Sequence, residues 1–144
     1  TAGAGISFAD ILEFIIPLGY FLPVVPGTKF ITLGGAIASD VHGKNHHKDG
    51  SFGNFLKNLI IIDGSSNIHQ IGPDHNYSKD KSDMFWATVG GLGLTGIILE
   101  ATFTVMRVEY ISMFFNSLFT FILYPAFWGI FELYRRLINL KSYD

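Results

Sequence analysis

The spacing of apolar residues changes along the chain, and each change predicts an element. Phe8, Ile11, Leu12 and Ile15 recur at helical intervals behind Ser7, and Asp10 three residues after Ser7 completes the pattern of a capping box. Pro17 and Gly19 should end that helix. Tyr20 to Val25 is short, apolar and crossed by Pro23, which suits an edge strand leading into a turn at Pro26-Gly27-Thr28. Phe30 to Leu33 predicts a strand running straight into Gly34-Gly35. Phe55 to Ile62 and Ile68 to Ile71 flank Asp63-Gly64-Ser65-Ser66 and predict a β-hairpin. Pro73 to Ser82 is polar and predicts a surface loop, with Asp83 capping a short helix that runs through Thr88. Gly96 to Val108 alternates and is rich in β-branched residues, so it predicts a strand. Helices and antiparallel strands interleave without a βαβ rhythm, which gives an α+β class.

The two ends differ from this body. Thr1 to Ile6 lacks the basic start and cleavage pattern of a secretory signal and has the character of the tail of a strand. Ile111 to Phe131 contains no Asp, Glu, Lys or Arg, and as a helix it would measure about the thickness of a bilayer core. Arg135, Arg136 and Lys141 follow it, as a cytoplasmic flank would. Asn116, Ser117, Thr120, Pro125 and Gly129 oppose that reading, so a membrane span, a lipid-facing surface helix and an ordinary buried helix all stand as alternatives. The composition break near Tyr110 is the candidate boundary, dividing residues 1–109 from a hydrophobic, helical tail at 110–144.

Composition narrows the chemistry. The chain has 144 residues, 49 % of them hydrophobic, which supports a packed core and excludes disorder. Ten basic residues against twelve acidic ones make a nucleic-acid surface a poor expectation. The absence of cysteine excludes disulfides, thiolate metal sites, iron–sulfur clusters and a Cys nucleophile, so any redox chemistry has to come from a bound organic cofactor.

The segment richest in chemistry is GGAIASDVHGKNHH, residues 34–47, followed by Asp49-Gly50-Ser51-Phe52-Gly53-Asn54. Paired glycines after a strand let backbone N–H groups face a pyrophosphate with no side chain in the way, although a bulge or tight turn uses the same dipeptide. His42, His46 and His47 raise a metal reading, but no acidic pair accompanies them at ligand spacing and there is no HExxH helix, so no metal is expected. Hydrogen bonding within the loop accounts for His46 and His47. His42, beside Gly43 and Lys44, is placed to meet the reactive face of a ligand, with Lys44 either holding a phosphate or simply solvated. A second glycine cluster, Gly90 to Gly96, has the order helix, glycines, strand, which is the reverse of a Rossmann fingerprint. Close approach of backbone to a ligand or to the neighbouring helix remains for it.

Pro26-Gly27-Thr28, GGAIASDVHGKNHHKDGSFGN (34–54) and FWATVGGLGLTGIILEATF (85–103) closely resemble the FAD-linked oxidases of the vanillyl-alcohol-oxidase type, with their PCMH-type FAD-binding domain. The resemblance covers roughly Ala2 to Glu109. It implies the second half of that FAD-binding domain, with the first half and its phosphate loop upstream of Thr1 and a substrate domain beyond Glu109, so that these residues alone would have little activity. It further implies oxidation of a sugar hydroxyl with hydride transfer to flavin N5, on a polyprenyl-phosphate-linked pentose, in a bacterial, membrane-associated setting with a keto-sugar reductase as partner. An aldonolactone or alditol oxidase is the alternative enzyme, and a non-catalytic membrane-anchored binding or scaffold protein the alternative of another class. Carried over by matching motif, Gly27, Thr32, Leu33, Gly34, Gly35, Ser39, Asp40, Val41 and His42 would line FAD, and Ile98 would touch it with its backbone. His42 and Lys44 would also face the substrate beside the isoalloxazine, as the catalytic pair.

Overall fold

Ser7 opens the first helix by the mechanism its sequence contains. In the computed structural model, which describes residues 1–73 and 76–108, the Ser7 hydroxyl accepts the Asp10 N–H at 3.1 Å, and the Asp10 carboxylate accepts the Ser7 N–H in return. Strand β1 (Ala2–Gly3) precedes helix α1 (Phe8–Ile15), which buries Phe8, Ile11 and Leu12. A 3-10 turn, Ile16–Leu18, follows with Pro17 near its start, and Gly19 closes it at φ 81°. That left-handed conformation is one that glycine adopts without a Cβ penalty.

The remaining elements are strand β2 (Tyr20–Phe21), helix α2 (Leu33–Ala38), the single turn α3 (His46–Asp49), strands β3 (Leu56–Ile62) and β4 (Ile68–Ile71), helix α4 (Lys79–Thr88), and strands β5 (Ile97–Phe103) and β6 (Met106–Arg107). Four strands form an antiparallel sheet in the order β1-β5-β3-β4, and β2 pairs with β6 in a second, two-stranded sheet. The expected hairpin is present, with Leu59 opposite Ile71 and Ile62 opposite Ile68. Its loop is organised by Asp63, whose carboxylate accepts the N–H groups of Ser65 and Asn67 at 2.8 and 2.9 Å and bonds the His69 ring at 2.7 Å. A bulge at Leu99 breaks the β3–β5 register between the pairs Ile60–Glu100 and Ile61–Ile98, and the Leu99 carbonyl takes the Ala4 N–H at 2.9 Å.

One face of the sheet, with Leu59, Ile61, Ile71 and Ala101, is sealed by Leu33, Ala36 and Ile37 of α2 and Phe85 of α4. Rings of Phe8, Phe52 and Phe103 continue the core as a contact series, with centroids 5.1 and 5.8 Å apart. Phe8 and Phe52 are fully buried and each contributes about 1.5–3 kcal/mol of transfer free energy, while Phe103 is partly buried.

Four sequence expectations are corrected. Phe30 to Leu33 is not a strand: Thr32 makes one isolated bridge to Ser7, and Leu33 already starts α2, because the Thr32 hydroxyl caps it by accepting the Gly35 N–H at 3.2 Å. Helix α4 begins at Lys79 rather than at Asp83, with Lys79 and Asp83 forming an (i, i+4) ion pair over its first turn. The run Gly96 to Val108 is two strands in two sheets, and only Tyr20 and Phe21 of the Tyr20–Val25 run form a strand. Mixed helix and antiparallel strand are as expected. Residues 1–108 make up one unit, and the hydrophobic tail 110–144 lies outside the described residues. Among the described residues no helix is long and apolar enough to cross a membrane.

Candidate functional site

The segment rich in chemistry folds around two separate clefts. The base of the first is a closed loop: His42 bridges Ser51, and the Phe52 N–H bonds the Val41 carbonyl at 2.9 Å, so the chain from 43 to 50 leaves and returns at one point. Burial of Phe52 fixes that point on the core. The loop presents His42, Lys44, Asn45 and His46 to a cleft of about 770 Å³, whose other wall is apolar and comes from Phe21, Leu22, Val25, Pro26 and Met106, with Gly27 at its edge. The volume is that of a small-molecule site.

Electrostatically the first cleft is one-sided. Among the described residues it is lined by one permanent cation, Lys44, and two histidines, and by no carboxylate. Among the described residues Lys44 joins no ion pair, so its charge is available to an anion. The rings of His42 and His46 meet edge to face with centroids 5.5 Å apart, and His46 Nδ1 lies 3.2 Å from the Gly43 carbonyl. His47 packs on His46 in the same way at 5.9 Å. Among the described residues no group of three or more metal-ligating side chains converges.

The second cleft, about 420 Å³, is lined by Gly34, Gly35 and Ala38 of α2, by Ala4 and Gly5 after β1, and by Gly93, Gly96 and Ile98. Its walls are almost bare backbone, the form that lets a flat or extended ligand lie close against the chain. A Cβ added to Gly5 or Gly93 meets no atom of the described residues within 4 Å, so the space those glycines leave among them is open. Neither the Gly5 nor the Gly93 N–H carries a hydrogen bond among the described residues. The glycine pair works differently from its sequence reading. The N–H groups of Leu33, Gly34 and Gly35 are taken by the Ile6 carbonyl, the Ala4 carbonyl and the Thr32 hydroxyl at 2.8, 2.8 and 3.2 Å, so they do not face a pyrophosphate. Gly34 is closely packed instead, since a Cβ there would lie 3.1 Å from Ala4 Cβ.

Of the residues singled out in the sequence, Gly27, His42 and Lys44 therefore line the first cleft, and Gly34, Gly35 and Ile98 the second. Thr32 caps α2, and the Leu33 side chain is fully buried in the core, which leaves it only backbone to offer. Ser39 closes α2. Asp40 adopts φ 41° and its carboxylate accepts the Gly53 N–H at 2.9 Å, holding the 51–54 turn against the end of the helix. Val41 is spent on backbone bonds to Ala36 and Phe52. Sequence reasoning missed Ala4, Gly5 and the apolar wall with Phe21 and Met106. The small residues of the opening TAGAG were a signal for the former, and nothing local points to the latter.

Residues 1–72, half of the chain, match the family model described as an FAD binding domain. The chain belongs to that family. Its cofactor is FAD, and the bare second cleft, open at Gly5 and Gly93 with free N–H groups, fits such a group. Decaprenylphosphoryl-beta-D-ribose oxidase of Mycolicibacterium smegmatis is 45 % identical over 106 residues, which is 74 % of this chain and 22 % of that protein. An uncharacterized protein of Streptomyces coelicolor is 38 % identical over 103 residues, 72 % of this chain and 26 % of its own length. Cytokinin dehydrogenase 8 of Oryza sativa is 26 % identical over 124 residues, 83 % and 22 % of the two chains. The FAD-binding chain thus spans about a quarter of the length of these curated relatives.

Proposed function

We propose that this chain is the FAD-holding portion of a flavin-dependent oxidoreductase that oxidises a sugar hydroxyl, with a polyprenyl-phosphate-linked pentose as the substrate class. The observation that carries the reading is the first cleft, where an exposed lysine and two histidines stand opposite an apolar wall, with no carboxylate in the lining among the described residues. An anionic head and a hydrocarbon chain are the two chemistries such a cleft satisfies together. The 45 % identity to an oxidase of a polyprenylphosphoryl pentose supports the same substrate class. FAD, when bound, supplies a two-electron acceptor for the hydride leaving the sugar carbon. Gly5, Gly35, Gly93 and the Ile98 backbone hold it by shape, while Lys44 attracts the phosphate and His42 orients the sugar hydroxyl or carries its proton. The product, a keto-sugar, calls for a reductase as partner, and the lipid chain of the substrate calls for a membrane-associated setting.

The test is a complete gene product carrying these residues. It should be yellow, hold one FAD, and bleach under anaerobic conditions when mixed with a short-chain polyprenylphosphoryl ribose. A His42→Ala variant should keep its flavin and bleach at least about a hundredfold more slowly, the scale of general acid–base and positioning contributions. A colourless protein, or bleaching at the normal rate without His42, would overturn the assignment.

A further inference from the structure

His42 and Lys44 make no side-chain hydrogen bond or ion pair among the described residues, so their aim depends on the backbone that carries them. Among the described residues, the Asn45 side chain ties that backbone across the cleft by hydrogen bonds. Asn45 is partly buried, and its amide nitrogen donates to the Pro23 carbonyl at 2.9 Å and to the Asp49 carboxylate at 2.7 Å. Pro23 belongs to the apolar wall, and Asp49 lies at the far end of the single turn α3. Both amide hydrogens are thus spent, one on each side of the segment that bears the cationic residues. The Asn45 carbonyl oxygen of the main chain also accepts the N–H groups of Lys48 and Asp49 at 2.9 and 3.0 Å, closing the turn on the same residue. Gly43 lets the two walls approach, since a Cβ there would lie 2.8 Å from the Val25 carbonyl.

We infer that Asn45 is a positioning residue for the substrate cleft: it ties the loop bearing His42 and Lys44 to the opposite wall at Pro23, and so sets the width of the cleft and the aim of both side chains. The inference rests on the reading of this cleft as the substrate site. A part-buried hydrogen bond to a backbone carbonyl and a charge-assisted one to a carboxylate are together strong enough to fix a loop that carries little apolar packing of its own. A shift of the order of 1 Å at the reacting groups lowers a rate by about a hundredfold, whereas Asn45 is not among the residues that line the second cleft.

The experiment compares Asn45→Ala and Asp49→Ala with the unaltered flavin-loaded protein by three readings: flavin content, anaerobic flavin reduction by a short-chain polyprenylphosphoryl ribose, and the ring resonances of His42 and His46 by nuclear magnetic resonance. Asn45→Ala should keep stoichiometric FAD, shift both ring resonances, and lower the limiting reduction rate at least about tenfold. Asp49→Ala, which leaves the bond to Pro23, should shift the same resonances less and slow reduction about threefold, and it decides the matter if Asn45→Ala fails to fold. Unmoved resonances together with an unaltered reduction rate, or a loss of thermal stability with no other change, would overturn the inference. If the unaltered protein holds flavin but is not reduced by the sugar, the substrate reading fails, and the His42 and His46 resonances alone then judge the positioning role.

Discussion

Glycines 5 and 34 carry opposite consequences although both line the bare cleft. Gly5→Ala adds a methyl that meets no protein atom within 4 Å, so folding should be untouched while FAD affinity drops by about tenfold or more, the scale of one unwanted methyl in a close-packed contact. Flavin titration beside a thermal melt checks this, and equal affinity would remove the second cleft from FAD binding. Gly34→Ala forces Cβ to 3.1 Å from Ala4 Cβ and 3.3 Å from the Ala4 carbonyl, and should cost about 1–3 kcal/mol in urea unfolding as α2 is pushed from β1. The sequence displayed both glycines but not their difference. An extended reading of Phe30 to Leu33 turned the N–H groups of the pair outward, whereas the Thr32 cap and the bonds to Ala4 and Ile6 turn them inward.

Elements set by neighbours in the chain were legible, and elements set by distant partners were not. The capping box of α1 spans four residues, and Ser7→Ala should cost about 1 kcal/mol of stability, measured by chemical denaturation. The hairpin was equally local. In its loop the His69 ring above all, and then the Asn67 and Ser65 amides, hold the Asp63 carboxyl well below the usual carboxylate range. A folded pKa that is depressed means stabilisation that is complete above the ordinary value of about 4 and is lost as the pH falls through the lower, folded value. Asp63→Ala should therefore expose the Ser65 and Asn67 amides to hydrogen exchange at pH 7, and the gap from the unaltered protein should close on strong acidification. Helix α2 shows the other case. Its six residues include two glycines, poor helix formers, and the fold holds them there through a cap and through carbonyls of Ala4 and Ile6 nearly thirty positions earlier.

For the whole molecule, the α+β class followed from alternation of periods, and the antiparallel sheet bears that out. The apolar run 111–131 belongs to the same scale, because its consequence is where the protein resides. If it meets lipid, the chain should stay with the membrane fraction through a concentrated salt wash and leave only in detergent, since burial of apolar surface is not screened. Removal of residues 111–144 should then release it, and recovery of the intact chain in the soluble fraction would sink that expectation.

The division of the Gly96–Val108 run also sets a length. Ile98 lies at the bare cleft and Met106 at the cationic one, and between them Thr104 donates from both its N–H and its hydroxyl to the Phe55 carbonyl, at 2.9 and 3.1 Å. Eight residues of extended chain reach at most about 27 Å, and the pin at Thr104 keeps that reach from varying. One stretch of chain, β5 followed by β6, thus runs from one cleft to the other, and a molecule that touches both must match the separation this stretch sets.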